Sequence, residues 1–167
     1  MFDIKIFDGM KTEEKYNMML SMLKSIIEDE SDVITNISNA TALINAIIGR
    51  INWCGFYFIR NGELVLGPFQ GMPACTRIKI GNGVCGTAVR ERKVMRIDNV
   101  HNFKGHIACD AASNSELVIP IIKNGKVYGV LDIDSEEAAR FTELEQTYAE
   151  KSIELLSKYI DWEKLSQ

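Results

Sequence analysis

The sequence predicts an α+β domain: a mainly antiparallel sheet flanked by helices. Three observations point there. Apolar residues recur at helical spacing through the first fifty positions. The period then shortens to that of strands, with two Asn-Gly turns joining two pairs of apolar runs. A capped helical pattern closes the chain.

The elements follow in order. Residues 11–29 place Tyr16, Met19, Leu20, Leu23, Ile26 and Ile27 on one helical face. Residues 33–50 continue with Ile37, Ala40, Leu43, Ile44 and Ile47, and Ser31-Asp32 offers an N-cap between the two helices. Trp53 to Ile59 reads as an aromatic strand, and Glu63 to Phe69 as its partner across Asn61-Gly62. Both turn residues must accept positive φ, which Asn and Gly do. Gly81-Asn82-Gly83 opens a short helix over about 84–90, and Val94 to Ile97 is a candidate strand. Residues 98–115 are a long polar loop with two histidines and one cysteine, a length that usually marks function in a compact domain. Glu116 to Ile122 and Val127 to Asp134 form a second hairpin across Asn124-Gly125. Thr142 and Glu145 form a capping box at the head of a helix running to about 160. The expected organisation is one domain over 1–167: N-terminal helices at 11–50, sheet and active-site loops at 51–135, and a C-terminal helix at 142–160. No internal repeat is present.

Composition narrows the function. The chain has 167 residues, 46% of them hydrophobic and 25% charged, enough to build a core without disulfides. A net charge of −4 argues against nucleic acid as a partner. The longest apolar stretch, Leu117 to Ile122, is far too short to span a membrane. Residues 1–8 lack the basic and apolar segments of a secretory signal, so the expected location is a reducing cytoplasm. Cysteines there are buried, metal-bound or catalytic rather than permanently paired.

The four cysteines divide by position. Cys54 sits inside the aromatic strand and reads as a small buried hydrophobe. Cys75, Cys85 and Cys109 lie in or beside loops, where they can converge on one site or be three unrelated buried thiols. Cys85 falls in the first turn of a helix, whose dipole is expected to lower a thiol pKa. A zinc site of Cys75, Cys85, Cys109 and His106 is an alternative, but the local C-x2–4-C clasp of structural zinc sites is missing. Gly81 to Gly86 fits G-x-G-x-x-G, yet no βαβ unit with a downstream acid follows. The glycines read as a tight loop at a helix entry.

The carboxylates carry a register problem. Asp132 and Asp134 share one face of the last strand, and Asp132 stands within a mostly apolar run. A two-residue turn at Asn124-Gly125 pairs Lys123 with Lys126 and so sets Glu116 opposite Ile133. Glu116 then faces away from both aspartates. All three acids share a face only if the loop has an odd count or a bulge shifts the register. Trp53 and Tyr57, four apart, share a strand face, either as core or as the wall of a small apolar group.

Five motifs occur in order: Asn52-Trp53-Cys54-Gly55-Phe56-Tyr57, Gly67-Pro68-Phe69-Gln70-Gly71, Gly83-Val84-Cys85-Gly86, Gly105-His106-Ile107-Ala108-Cys109-Asp110 and Gly129-Val130-Leu131-Asp132-Ile133-Asp134-Ser135. The chain resembles the GAF-domain free methionine-(R)-sulfoxide reductases over essentially its whole length. The resemblance implies a GAF sheet flanked by helices, a homodimer, and free methionine (R)-sulfoxide as substrate. It implies Cys109 as the thiol that becomes sulfenic acid, with Cys75 as first resolving cysteine and Cys85 as alternative or second partner. It implies that Glu116, Asp132 and Asp134 bind the substrate ammonium and assist protonation, and that Trp53 and Tyr57 wall the methyl and thioether. It further implies a thioredoxin-type dithiol as reductant and no metal, flavin or nicotinamide cofactor. The rival expectation is a GAF module that holds a small ligand without chemistry.

Overall fold

The computed structural model describes residues 4–105 and 112–165. The predicted helices are found as α1 (Thr12–Ile27), α2 (Val33–Ile48), α3 (Gly83–Glu91) and α4 (Glu143–Tyr159). Six strands form the sheet: β1 (Trp53–Arg60), β2 (Glu63–Gly71), β3 (Arg77–Lys79), β4 (Met95–Ile97), β5 (Ser115–Lys123) and β6 (Lys126–Ser135). Their order is β3-β2-β1-β6-β5-β4, and every neighbouring pair is antiparallel. The α+β expectation holds. Strand β3 went unpredicted, because three residues pairing with β2 carry too little periodicity to read. Part of the loop expected over 98–115 is a 3-10 turn at Val100–Asn102, while 106–111 lie outside the described residues.

Local chemistry explains the boundaries. Asp32 caps α2 by accepting from the Thr35 N–H at 2.7 Å. At α4, the Leu144 N–H donates to Thr142 Oγ1 at 3.1 Å, and the Thr142 N–H donates to Glu145 Oε2 at 2.8 Å, as a capping box requires. Both Asn-Gly turns have positive φ throughout: 52° and 82° at Asn61-Gly62, 51° and 77° at Asn124-Gly125.

Strand alternation divides the sheet into two faces. Cys54, Phe56, Phe58, Leu117, Ile119, Ile121, Leu131 and Ile133 pack against α1, α2 and α4 in the main core. Cys54 is fully buried there, as expected of a core residue. The opposite face carries Trp53, Tyr57, Val118 and Val130 beneath α3. This second face is the smaller apolar layer, and the polar groups of interest enter it.

The β5–β6 hairpin contains the bulge that the acid cluster demands. Lys123 pairs with Lys126 and Ile122 with Val127, but Ile121 pairs with Gly129, so Tyr128 is the extra residue. Beyond the bulge Glu116 stands opposite Asp134 and Val118 opposite Asp132. The acids therefore share one face. Gly129, next to the bulge, lies against β1: a Cβ there would sit 2.0 Å from the Tyr57 carbonyl oxygen.

A buried ion pair ties the helical layer to the strand ends. Arg140 and Glu145 meet at 3.1 Å with side chains only 3% and 6% exposed. Arg140 also donates to the Ile48 and Gly49 carbonyls at 2.8 and 3.0 Å, closing the end of α2. The Tyr16 hydroxyl donates to Glu145 at 2.9 Å. Burial alone would raise the Glu145 pKa, but hydrogen bonds from Thr142, Tyr16 and Arg140 outweigh it and hold the carboxyl at about 2.

Two outcomes follow for stability. Glu145→Gln leaves Arg140 buried without a counter-charge and is expected to cost about 3 kcal/mol or more at pH 7 by urea unfolding. Because the folded pKa lies below the ordinary 4.5, wild-type stability from this group is present above pH 4.5 and lost as pH falls toward 2; the variant lacks that slope. Gly129→Ala forces a methyl onto backbone that cannot yield, and is expected to cost about 3 kcal/mol in the same assay.

Candidate active site

The face beneath α3 gathers most of the expected site. Cys85 enters from the first turn of α3, Glu116 from the start of β5, and Asp132 from β6. One donor atom from each lies within 4.8 Å of the other two, and all three side chains are buried. The Cys85 thiol donates to Glu116 Oε1 at 3.8 Å. Asp132 Oδ1 is buried with no hydrogen-bond partner among the described residues. Asp134, half-buried, follows on the same face opposite both Glu116 and Trp53.

These carboxylates cannot all ionise. Burial, then the charges of Asp132 and Asp134, push the Glu116 pKa well above the carboxylate range. Burial also raises Asp132, to about 6, against hydrogen bonds from Cys85 and Glu116 that favour its charged form. Both acids are thus pushed toward the protonated form, so the pair holds a proton more readily than an ordinary carboxylate does. A carboxylic acid beside a carboxylate in an apolar pocket is a ready proton donor.

Cys85 departs from expectation. Its place in the first helical turn is as predicted, but burial and the facing carboxylates of Asp132 and Glu116 raise its pKa well above the ordinary thiol range. The helix dipole is outweighed, and the group stays a neutral thiol.

The aromatic pair has two tasks, one of which sequence reasoning missed. Trp53 and Tyr57 stack with centroids 5.8 Å apart, and Phe69 also stacks on Trp53 at 5.5 Å. The indole folds over Gly55, which pairs with Asp132, so an apolar wall stands beside the acid. Their polar ends meanwhile hold the loop between β2 and β3. Trp53 Nε1 donates to the Met72 carbonyl at 3.1 Å, and the Tyr57 hydroxyl donates to the Cys75 carbonyl at 2.9 Å. Only the polar tips of these two residues hinted at that role.

Cys75 is half-buried at the end of this loop and is disulfide-bonded, whereas Cys54 and Cys85 are free thiols. Cys109 and His106 lie outside the described residues. Of the alternative zinc set, Cys85 lies beside the carboxylates of Glu116 and Asp132. No helix among the described residues is long and apolar enough to cross a membrane.

A GAF domain family model matches residues 31–161. Protein YtsP of Bacillus subtilis is 51% identical over 95% of this chain and 98% of its own length. The free methionine-R-sulfoxide reductase of Escherichia coli is 43% identical over 90% of this chain and 92% of its own. The X-ray structure of free methionine-R-sulfoxide reductase from Neisseria meningitidis in complex with its substrate superposes with a TM-score of 0.89 at 36% identity. It covers 95% of this chain and 96% of that one. The buried acid pair, the aromatic wall and the match over 90% of its length together place this chain in the GAF-domain family of free methionine-R-sulfoxide reductases.

Proposed function

We propose that the protein reduces free L-methionine (R)-S-oxide to methionine, with the Glu116–Asp132 pair as proton donor and ammonium site and Cys109 as the attacking thiol. The observation that carries this reading is the buried acid pair, one member of which retains a proton near neutrality. Sulfoxide sulfur is a poor electrophile until its oxygen accepts a proton. Glu116 supplies that proton. The Cys109 thiolate then attacks sulfur, the S–O bond breaks, and the oxygen passes to the enzyme sulfur as sulfenic acid while methionine leaves. The substrate sulfur is reduced by two electrons and the thiol is oxidised by two.

Cys75 resolves the sulfenic acid: its sulfur bonds to Cys109 and water departs. Its disulfide-bonded state and the anchoring of its loop support that assignment over Cys85, whose thiol is neutral, buried and hydrogen-bonded to Glu116. An external dithiol of the thioredoxin class then reduces the disulfide. Asp132 and Asp134 supply negative charge for the substrate ammonium, and the Trp53 and Tyr57 rings flank its methyl and thioether. A pocket that encloses the ammonium rejects methionine sulfoxide within a peptide, where that group is an amide. The same reading takes the protein to be a homodimer.

The test is turnover of separated epimers with dithiothreitol. The R epimer is expected to turn over in the wild type and not in Cys109→Ser; no activity on the R epimer, or full activity in the variant, would overturn the proposal. N-acetylated sulfoxide is expected to be a poor substrate. A second prediction concerns pH. Asp132 must be ionised to hold the ammonium, so kcat/KM should rise as pH passes upward through about 6. Asp132→Asn should raise KM by about 30-fold, some 2 kcal/mol, and abolish that acid limb.

A further inference from the structure

Cys85 is a buried, free thiol for which the proposed relay has no use. Its surroundings are unusual for an idle core cysteine. Three side chains with metal-capable atoms converge, from α3, β5 and β6, with all three buried. Fully ionised they would carry three negative charges, and among the described residues no salt bridge reaches Glu116 or Asp132. Asp132 Oδ1, in a side chain 93% shielded from solvent, has no hydrogen-bond partner among those residues. An orphaned buried carboxylate oxygen is costly unless something binds it.

We infer that Cys85, Glu116 and Asp132 form a binding site for one thiophilic divalent cation of the zinc class. Among the described residues the donor set is one thiolate and two carboxylates, the three-ligand count of sites that also take water or an exogenous ligand. Tetrahedral zinc with ordinary Zn–S and Zn–O bonds separates sulfur from oxygen by about 3.5 Å. Cys85 Sγ and Glu116 Oε1 already stand 3.8 Å apart. Binding displaces the thiol and carboxyl protons to solvent, and the divalent cation offsets two of the three negative charges of the ionised ligands. The cation occupies the carboxylates that the proposed function gives to the substrate ammonium, so cation and free methionine sulfoxide exclude one another. That last consequence rests on the proposed function; the cation site itself does not.

The experiment uses full-length Cys75→Ser/Cys109→Ser protein, which removes the other loop thiols and leaves Cys54 on the opposite face of the sheet. Cobalt(II) is added as the spectroscopic probe and zinc as its competitor. One equivalent of cobalt is expected to produce a cobalt–thiolate charge-transfer band that zinc abolishes. Adding Cys85→Ser should eliminate the band, with circular dichroism confirming the fold. Glu116→Gln, which keeps the thiol, should weaken cobalt affinity at least tenfold. No band, or a band that survives Cys85→Ser in folded protein, overturns the site; unchanged affinity in Glu116→Gln overturns it equally. Free methionine (R)-sulfoxide should diminish the band, and a band indifferent to it overturns the mutual exclusion. Failure of wild-type turnover on the R epimer would refute the proposed function and leave the cobalt result standing, so the two readings fail separately.

Discussion

The single extra residue in the β5–β6 hairpin governs the chemistry of this molecule. A regular two-residue hairpin would send Glu116 to the face that packs on α1, α2 and α4, into the extensive apolar core. The bulge at Tyr128 shifts the register by one and turns Glu116 toward Asp132 and Asp134. It also brings Gly129 so close to the Tyr57 carbonyl that no side chain fits. The turn, the bulge, the glycine and the acid cluster are one connected device: none of its parts can change without moving the others.

That device concentrates negative charge in an apolar layer, which opposes folding. The protein separates the two demands by face. One face of the sheet carries the extensive apolar core with three helices, and its buried Arg140–Glu145 pair links α2, α4 and the strand ends with well-satisfied hydrogen bonds. The other face carries a smaller apolar layer and the acid cluster beneath α3. Stability residing on the first face tolerates an unsatisfied oxygen and a misplaced proton on the second. The aromatic pair spans these roles. Trp53 and Tyr57 contribute apolar area to the second face, and their polar tips tether the loop that ends in Cys75.

Much of this was legible residue by residue. The helices at both ends, both Asn-Gly hairpins, the Asp32 cap, the Thr142–Glu145 box and the core role of Cys54 follow from periodicity and local hydrogen-bond chemistry. Strand β3 was not legible, since three residues stapled to β2 have no pattern of their own. The pKa of Cys85 was misjudged because a helix dipole is a local signal, whereas burial and two facing carboxylates are contributed by distant segments.

The sequence by itself determined the element types, the fold class, the family motifs and the list of residues able to do redox and acid–base chemistry, because these depend on local pattern and residue type. It also posed the register question sharply, as a choice between two faces for Glu116. Only the tertiary structure decided that choice, set Asp132 beside a neutral thiol, and buried two acids together so that both are pushed toward the protonated form. Those properties belong to no residue alone. They arise from distances and shielding between α3, β5 and β6, segments far apart in the chain, and a one-residue shift in pairing reverses them.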